Sequence, residues 1–345
     1  MATEPPSRRT VVASLFPGIF AMVMATGIIA IAADQQGIDW MALVLYVCAG
    51  VAYVVLAALL AARVVRYPAL VLADATHHAR GFAFLTTVAG TNVLAAASAI
   101  VHGWWGLTWV LWWVSLGLWV VLVYVTLIAI VIGQEKPGLA TGINGTWFLL
   151  TVATESIAVV AALLLPRYDS DLLAFTALAA FTLGVVLYAI VMTLVFLRWT
   201  FQPLDPADAE PPAWIAAGAV AITVLAGSNV LLARDSSVRI ARVAPFVEGV
   251  VVLAWATATF WFPLMIAIGV WRHVVRASPC AITRRTGRSS SRSGCTAQPR
   301  SACAPQSASR PSGWLPRLTL AIALVAWLTT AAGLVGAWAS RVRSR

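Results

Sequence analysis

The chain has 345 residues, 61% of them hydrophobic and 10% charged, with a mean hydropathy of +0.88 and a net charge of +10. No water-soluble domain needs that ratio, so the composition excludes a soluble enzyme and indicates a polytopic helical membrane protein whose first partner is the lipid bilayer. The charge does not indicate a nucleic-acid partner: six arginines (Arg284, Arg285, Arg288, Arg292, Arg300, Arg310) crowd one polar stretch, and most others flank apolar runs, where they set topology.

In chain order, residues 1–10 (MATEPPSRRT) are too short and polar to open a cleaved signal peptide, so they are expected to form a cytoplasmic tail before a retained first span. A bilayer core takes about 20 apolar residues per helix. Nine runs qualify: 11–33, 40–62, 81–101, 104–132, 144–165, 172–197, 213–233, 246–271 and 315–339. The first eight fill residues 11–276, and the last, with a basic tail, fills 314–345. Arg8, Arg9, Arg63, Arg66, Arg80, Lys136, Arg198, Arg272 and Arg276 all fall on one side, expected to be the cytoplasmic side of an inner (plasma) membrane. The opposite side breaks the rule at one loop, where Arg234, Arg239 and Arg242 are candidates for a positive mouth that draws anions.

Between the last two runs, Ala277–Gly313 is rich in Arg, Ser, Pro and Cys and holds three of the four cysteines (Cys280, Cys295, Cys303). As written it cannot bury enough apolar surface to fold or to span a bilayer. Back-translated and shifted by one base, it can read as an apolar, aromatic-ended segment containing Phe-Pro-Leu-Gly. Residues 277–313 therefore read as an out-of-frame or disordered segment in place of a ninth span. Topology agrees: with ten spans the tail Arg341, Arg343, Arg345 lies inside, and with nine it does not.

The odd spans repeat. Ala25-Thr26-Gly27, Ala89-Gly90-Thr91-Asn92, Ala153-Thr154-Glu155-Ser156 and Ala226-Gly227-Ser228-Asn229 begin at 25, 89, 153 and 226, each in a polar-marked helix followed by a plainer apolar one. Such hairpins commonly share a pathway at their interface. The expectation is an inner ring of odd helices, with Thr26, Gly27, Thr91, Asn92, Thr154, Glu155, Ser156, Ser228 and Asn229 facing inward as pore-lining candidates. Glu155 is the one carboxylate deep in a span, and an ionised group at bilayer centre costs ~3 kcal/mol even on lenient scales. It either lines or couples the path, or pins helix to helix. For Asn92 and Asn229 the structural alternative is interhelical hydrogen bonding worth about 1 kcal/mol or less. No HExxH, CxxC or His/Cys spacing for a metal appears outside Ala277–Gly313, so no cofactor and no metal are expected.

Phe16-Pro17-Gly18, Gly142-Ile143-Asn144-Gly145-Thr146-Trp147, Thr154-Glu155-Ser156, Phe260-Trp261-Phe262-Pro263 and Trp271-Arg272-His273 together resemble the tellurite-resistance/dicarboxylate transporter family, which includes plant slow anion channels, fungal malate permeases and sulfite exporters. The resemblance covers residues ~11–276 and ~315–340 of an otherwise helix-counted chain. It implies an all-α membrane protein of ten helices in five hairpins, odd helices lining a central pore, and frequent trimers. It also implies a pore-plugging aromatic on the ninth helix, where this chain has Arg, Ser and Gly. The function it implies is transport of a small anion such as a C4-dicarboxylate, sulfite or halide. The competing readings are an inactive product of a damaged frame and a membrane-embedded enzyme using Glu155 as acid or base, for which no nucleophile or metal partner appears.

Overall fold

The computed structural model describes residues 12–134, 136–202 and 215–270, with residues 319–321, 323–324 and 327–328 of the last apolar run. The expectations for the tail 1–10, for residues 277–313, for the motif Trp271–His273 and for the basic C-terminus lie outside the described residues.

The described chain is helical: α1 (Ala21–Asp34), α2 (Asp39–Arg66), α3 (Pro68–Thr76), α4 (Thr86–His102), α5 (Trp105–Ile132), α6 (Leu139–Gly142), α7 (Leu149–Tyr168), α8 (Asp171–Phe201), α9 (Ile215–Leu232) and α10 (Val238–Val270). Eight of these segments are long and apolar enough to cross a membrane, each within several residues of its expected span. They pair as antiparallel hairpins α1–α2, α4–α5, α7–α8 and α9–α10.

The two members of each hairpin differ sharply in burial. The most apolar windows of the odd spans are 83%, 83%, 94% and 61% buried, against 22%, 22%, 39% and 22% for the even spans. Composition is the cause. α4 reads TTVAGTNVLAAASAIVH, whose small side chains let other helices close in on every face. α5 carries Val110, Val121, Val125, Ile128 and Val131 outward, a surface suited to lipid. The inner helices pack in sequence, α1 on α4, α4 on α7 and α7 on α9. Three outer helices also touch the next hairpin's inner helix, α2 on α4, α5 on α7 and α8 on α9. Gly27 sets one approach: a Cβ there would come 2.6 Å from Val93 Cγ1 of α4.

Three inner helices start alike. Single 3₁₀ turns, Pro17–Phe20, Gly81–Leu85 and Gly145–Phe148, lead into α1, α4 and α7. They place Phe20, Phe84 and Phe148 in the interior at a spacing of 64 residues.

Two boundaries correct the sequence reading. The connection 63–80 contains a helix, α3, opened by Pro68 at its first turn, where a missing N–H costs nothing. The eighth span begins at Val238 and not at 246, so Arg239 and Arg242 lie on a helix and not in a loop. Its first turns are amphipathic: Ile240, Ala244 and Val247 are buried while Arg239 and Arg242 face out, a pattern an apolar-run count passes over.

Candidate functional site: a buried polar layer

The polar residues of the inner helices form a layer of hydrogen bonds within the bundle. Thr26, Thr91, Asn92, Thr154, Glu155, Ser156 and Ser228 are all buried; Asn229 is partly exposed. Asn92 bonds through both ends of its side-chain amide. Its amide donates to Ser156 Oγ of α7 at 2.9 Å, and its Oδ1 accepts from Ser115 of the outer helix α5 at 2.6 Å. One side chain thus ties two inner helices and one outer helix. Asn229, its counterpart in the repeat, donates to Leu225 O of its own helix at 2.9 Å, and the structure does not bring it to the Asn92 group.

The hydroxyls follow a common rule: an outer-helix aromatic bonds the neighbouring hairpin's inner helix. Tyr53 of α2 meets Thr91 Oγ1 at 3.0 Å, and Trp119 Nε1 of α5 donates to Thr154 Oγ1 at 2.9 Å. Trp327 Nε1 of the last apolar run donates to Thr26 Oγ1 at 2.9 Å. Thr26, Thr91 and Thr154 can accept because each donates its own proton to a carbonyl four residues back. Nearer the opposite end, Tyr46 bonds Ser98 at 2.9 Å and Trp112 Nε1 donates to Ile157 O at 3.3 Å. In lipid each such bond is worth about 0.6 kcal/mol on average, so the layer counts by number.

Glu155 sits where three helices meet. It is wholly buried, and Thr223 Oγ1 of α9 lies 2.8 Å from one carboxyl oxygen and 2.9 Å from the other. From α8, Gly184 makes room: a Cβ there would collide with Glu155 Cγ. Tyr188 lies one turn further along α8 from Gly184, its ring 5.7 Å from that of Phe148. The sequence singled out Glu155 but gave no sign of Thr223, Gly184 or Tyr188; the placement of Thr223 one turn before the repeated Gly227 is the one signal that could have found it.

At the end where the inner helices begin, Asp74 of α3 holds Arg63 Nη2 of α2 at 2.6 Å and Arg80 Nη1 at 2.7 Å, and the Arg80 guanidinium lies 5.8 Å from the Phe16 ring centroid. The motif Gly142–Trp147 clamps the neighbouring loop. Asn144 and Thr146 donate to Ala79 O at 3.3 and 3.2 Å, and Trp147 Nε1 donates to His78 O at 3.1 Å. Burial, then the nearby Lys136 and His77, hold the His78 imidazole below its ordinary range.

At the other end, the three mouth candidates are exposed. Arg239 Nη2 pairs with Asp171 at 3.6 Å and Arg234 Nε with Asp235 at 3.5 Å. Of the three, Arg239 lines a cavity of about 410 Å³, together with Asp171, Asp235, Asp169, Ser170 and Ser236 among others. Among the described residues no His, Cys, Asp and Glu group is spaced to hold a metal.

The family model described as voltage-dependent anion channel matches residues 14–289, most of the chain. Two curated relatives, the uncharacterized membrane proteins Rv1735c of Mycobacterium tuberculosis (strain ATCC 25618 / H37Rv) and MT1776 of strain CDC 1551 / Oshkosh, are each 41% identical over 93 residues. That is 27% of this chain and 47% of theirs, so the chain spans about half the length of the curated relatives it matches. With buried small-residue helices ringed by apolar ones and a family match across all eight described spans, the chain belongs to the voltage-dependent anion channel family.

Proposed function

We propose that the protein passes small anions, such as a C4-dicarboxylate, sulfite, halide or tellurite-related oxyanion, across the plasma membrane along a path bordered by α1, α4, α7 and α9. The observation that carries this reading is the segregation of the helices: polar and small residues gather on the helices most buried within the bundle. In this reading Thr26, Gly27, Thr91, Asn92, Thr154, Glu155, Ser156, Ser228 and Asn229 set the path's walls. Those bonded to outer helices fix the wall's position, while N–H groups at the glycine-bearing helix starts offer neutral donors. Arg234, Arg239 and Arg242 raise local anion concentration at the mouth. Selectivity then rests on width and dipoles with few fixed charges, and is modest. The protein makes and breaks no bond in its substrate, works as three copies, and keeps its N-terminus in the cytoplasm. Flux of a panel of anions into vesicles carrying the pure protein tests this; anion-independent ion flow would overturn it.

A second reading, an inactive product of a damaged frame, is favoured by two observations. Residues 277–313 have the composition of out-of-frame translation. The family match ends at residue 289, inside that stretch, with an apolar run still to come. Genomic sequence over codons 270–315 decides it: an intact frame removes this reading.

A further inference from the structure

Two hydroxyls near Glu155 lack partners among the described residues: Thr151 Oγ1 and Tyr188 Oη, both buried. Thr26, Thr91 and Thr154 spend their hydroxyl protons on the preceding helical turn, and Thr151 does not. The two lie at one level. Thr151 is one turn before Glu155 on α7. Gly184 faces Glu155, and on the antiparallel α8 Tyr188 is one turn further toward the same end. The ring of Phe148, nearly a turn before Thr151, lies 5.7 Å from that of Tyr188, which fixes Tyr188 at this depth. A buried hydroxyl without a partner is unfavourable, and two at one level beside a carboxyl make a polar spot rich in acceptors and donors. A buried water needs two to four such partners, and Thr151, Tyr188 and Glu155 supply three.

The carboxyl itself has a deficit. Thr223 has one proton, yet its oxygen sits within 2.9 Å of both carboxyl oxygens. An ionised Glu155 would have that single donor for two oxygens. With a proton on one oxygen, the acid donates to Thr223 Oγ1, and Thr223 donates onward to the other oxygen or to Ala219 O at 3.3 Å. Among the described residues, the hydrogen bonds from α4 and α5 to the Glu155 turn come from uncharged groups, Asn92 to Ser156, Trp119 to Thr154 and Trp112 to Ile157 O, and α8 brings the tyrosine Tyr188.

We propose that Glu155 is a proton-binding site, and that a water held between Thr151 Oγ1 and Tyr188 Oη passes protons to it from the end where α7 begins. In the step, an O–H bond of the hydrated proton breaks and an O–H bond to a Glu155 carboxyl oxygen forms. The water left behind is reprotonated from the solvent side, and no oxidant or reductant takes part. Glu155 keeps its place in the proposed wall, but the proton site does not rest on that reading, because its readout needs no transport.

Infrared spectra of the reconstituted protein, transferred to D₂O, test it. The native protein shows the carbonyl stretch of a protonated buried carboxylic acid, shifting as the proton exchanges for a deuteron. E155Q removes the band. Y188F, which keeps the ring on Phe148, and T151V, which keeps the branched shape, retain the band but exchange more slowly by roughly tenfold, the factor one lost hydrogen bond of the relay represents. Absence of the band from the native protein, or unchanged exchange in both folded variants, overturns the proposal.

Discussion

Residues in this protein are held by fit as much as by bonding, and Gly184 shows it. Any side chain there meets Glu155 Cγ, so G184A forces α8 away from α7 or Glu155 off Thr223. The expected cost is about 1–3 kcal/mol, read as a lower unfolding temperature in detergent; native stability in G184A would mean the two helices are not packed at this point. E155Q is gentler, since the amide still meets Thr223 while the ionisable group is gone. It should leave folding intact and change anion flux or its dependence on pH; flux identical to native at every pH would restrict Glu155 to a structural part. Glu155 was legible in the sequence because a lone carboxylate in an apolar span is rare. Thr223, Gly184 and Tyr188 were not, because threonine, glycine and tyrosine are ordinary there and only the crossing of three helices brings them to one point. The direction of Asn92 was hidden for the same reason: sequence register says which residues share a face, and packing says whether that face meets another inner helix or α5.

At the scale of elements, α3 depends on one carboxylate. Asp74 neutralises a buried guanidinium on α2, and two further nitrogens of Arg63 are buried without partners among the described residues. D74N should therefore cost about 3–5 kcal/mol, since it strands a buried charge, while replacing Arg63 and Asp74 together by Met and Leu should be much milder. Thermal unfolding of the single and double variants checks this; a single variant as stable as the double would show that Arg63 finds water. The sequence exposed the alternation of inner and outer helices, because small and polar residues collect in the odd spans. It hid α3 and the first turns of α10, because both are amphipathic or short, and a search for unbroken apolar runs sees neither. The 64-residue recurrence of Phe20, Phe84 and Phe148 was also in the sequence, but a phenylalanine in an apolar chain stands out only once three 3₁₀ turns give it a common place.

For the whole molecule, the inner helices should protect their lipid-remote faces and admit small aqueous probes along the proposed path. Cysteines placed one at a time on α4 and α5 distinguish these surfaces. Positions such as Val121 and Val131 of α5 should react with lipid-soluble reagents alone, and water-soluble labelling there would contradict the ring arrangement. Everything functional rests on the passage of anions. The most direct measurement is the reversal potential across a bilayer holding the purified protein under a salt gradient, with the anion varied and the cation fixed. The account expects the potential to follow the anion gradient and to shift as chloride is exchanged for sulfite or a C4-dicarboxylate. A potential that follows the cation, or no protein-dependent conductance or exchange from folded protein of verified frame, would contradict it.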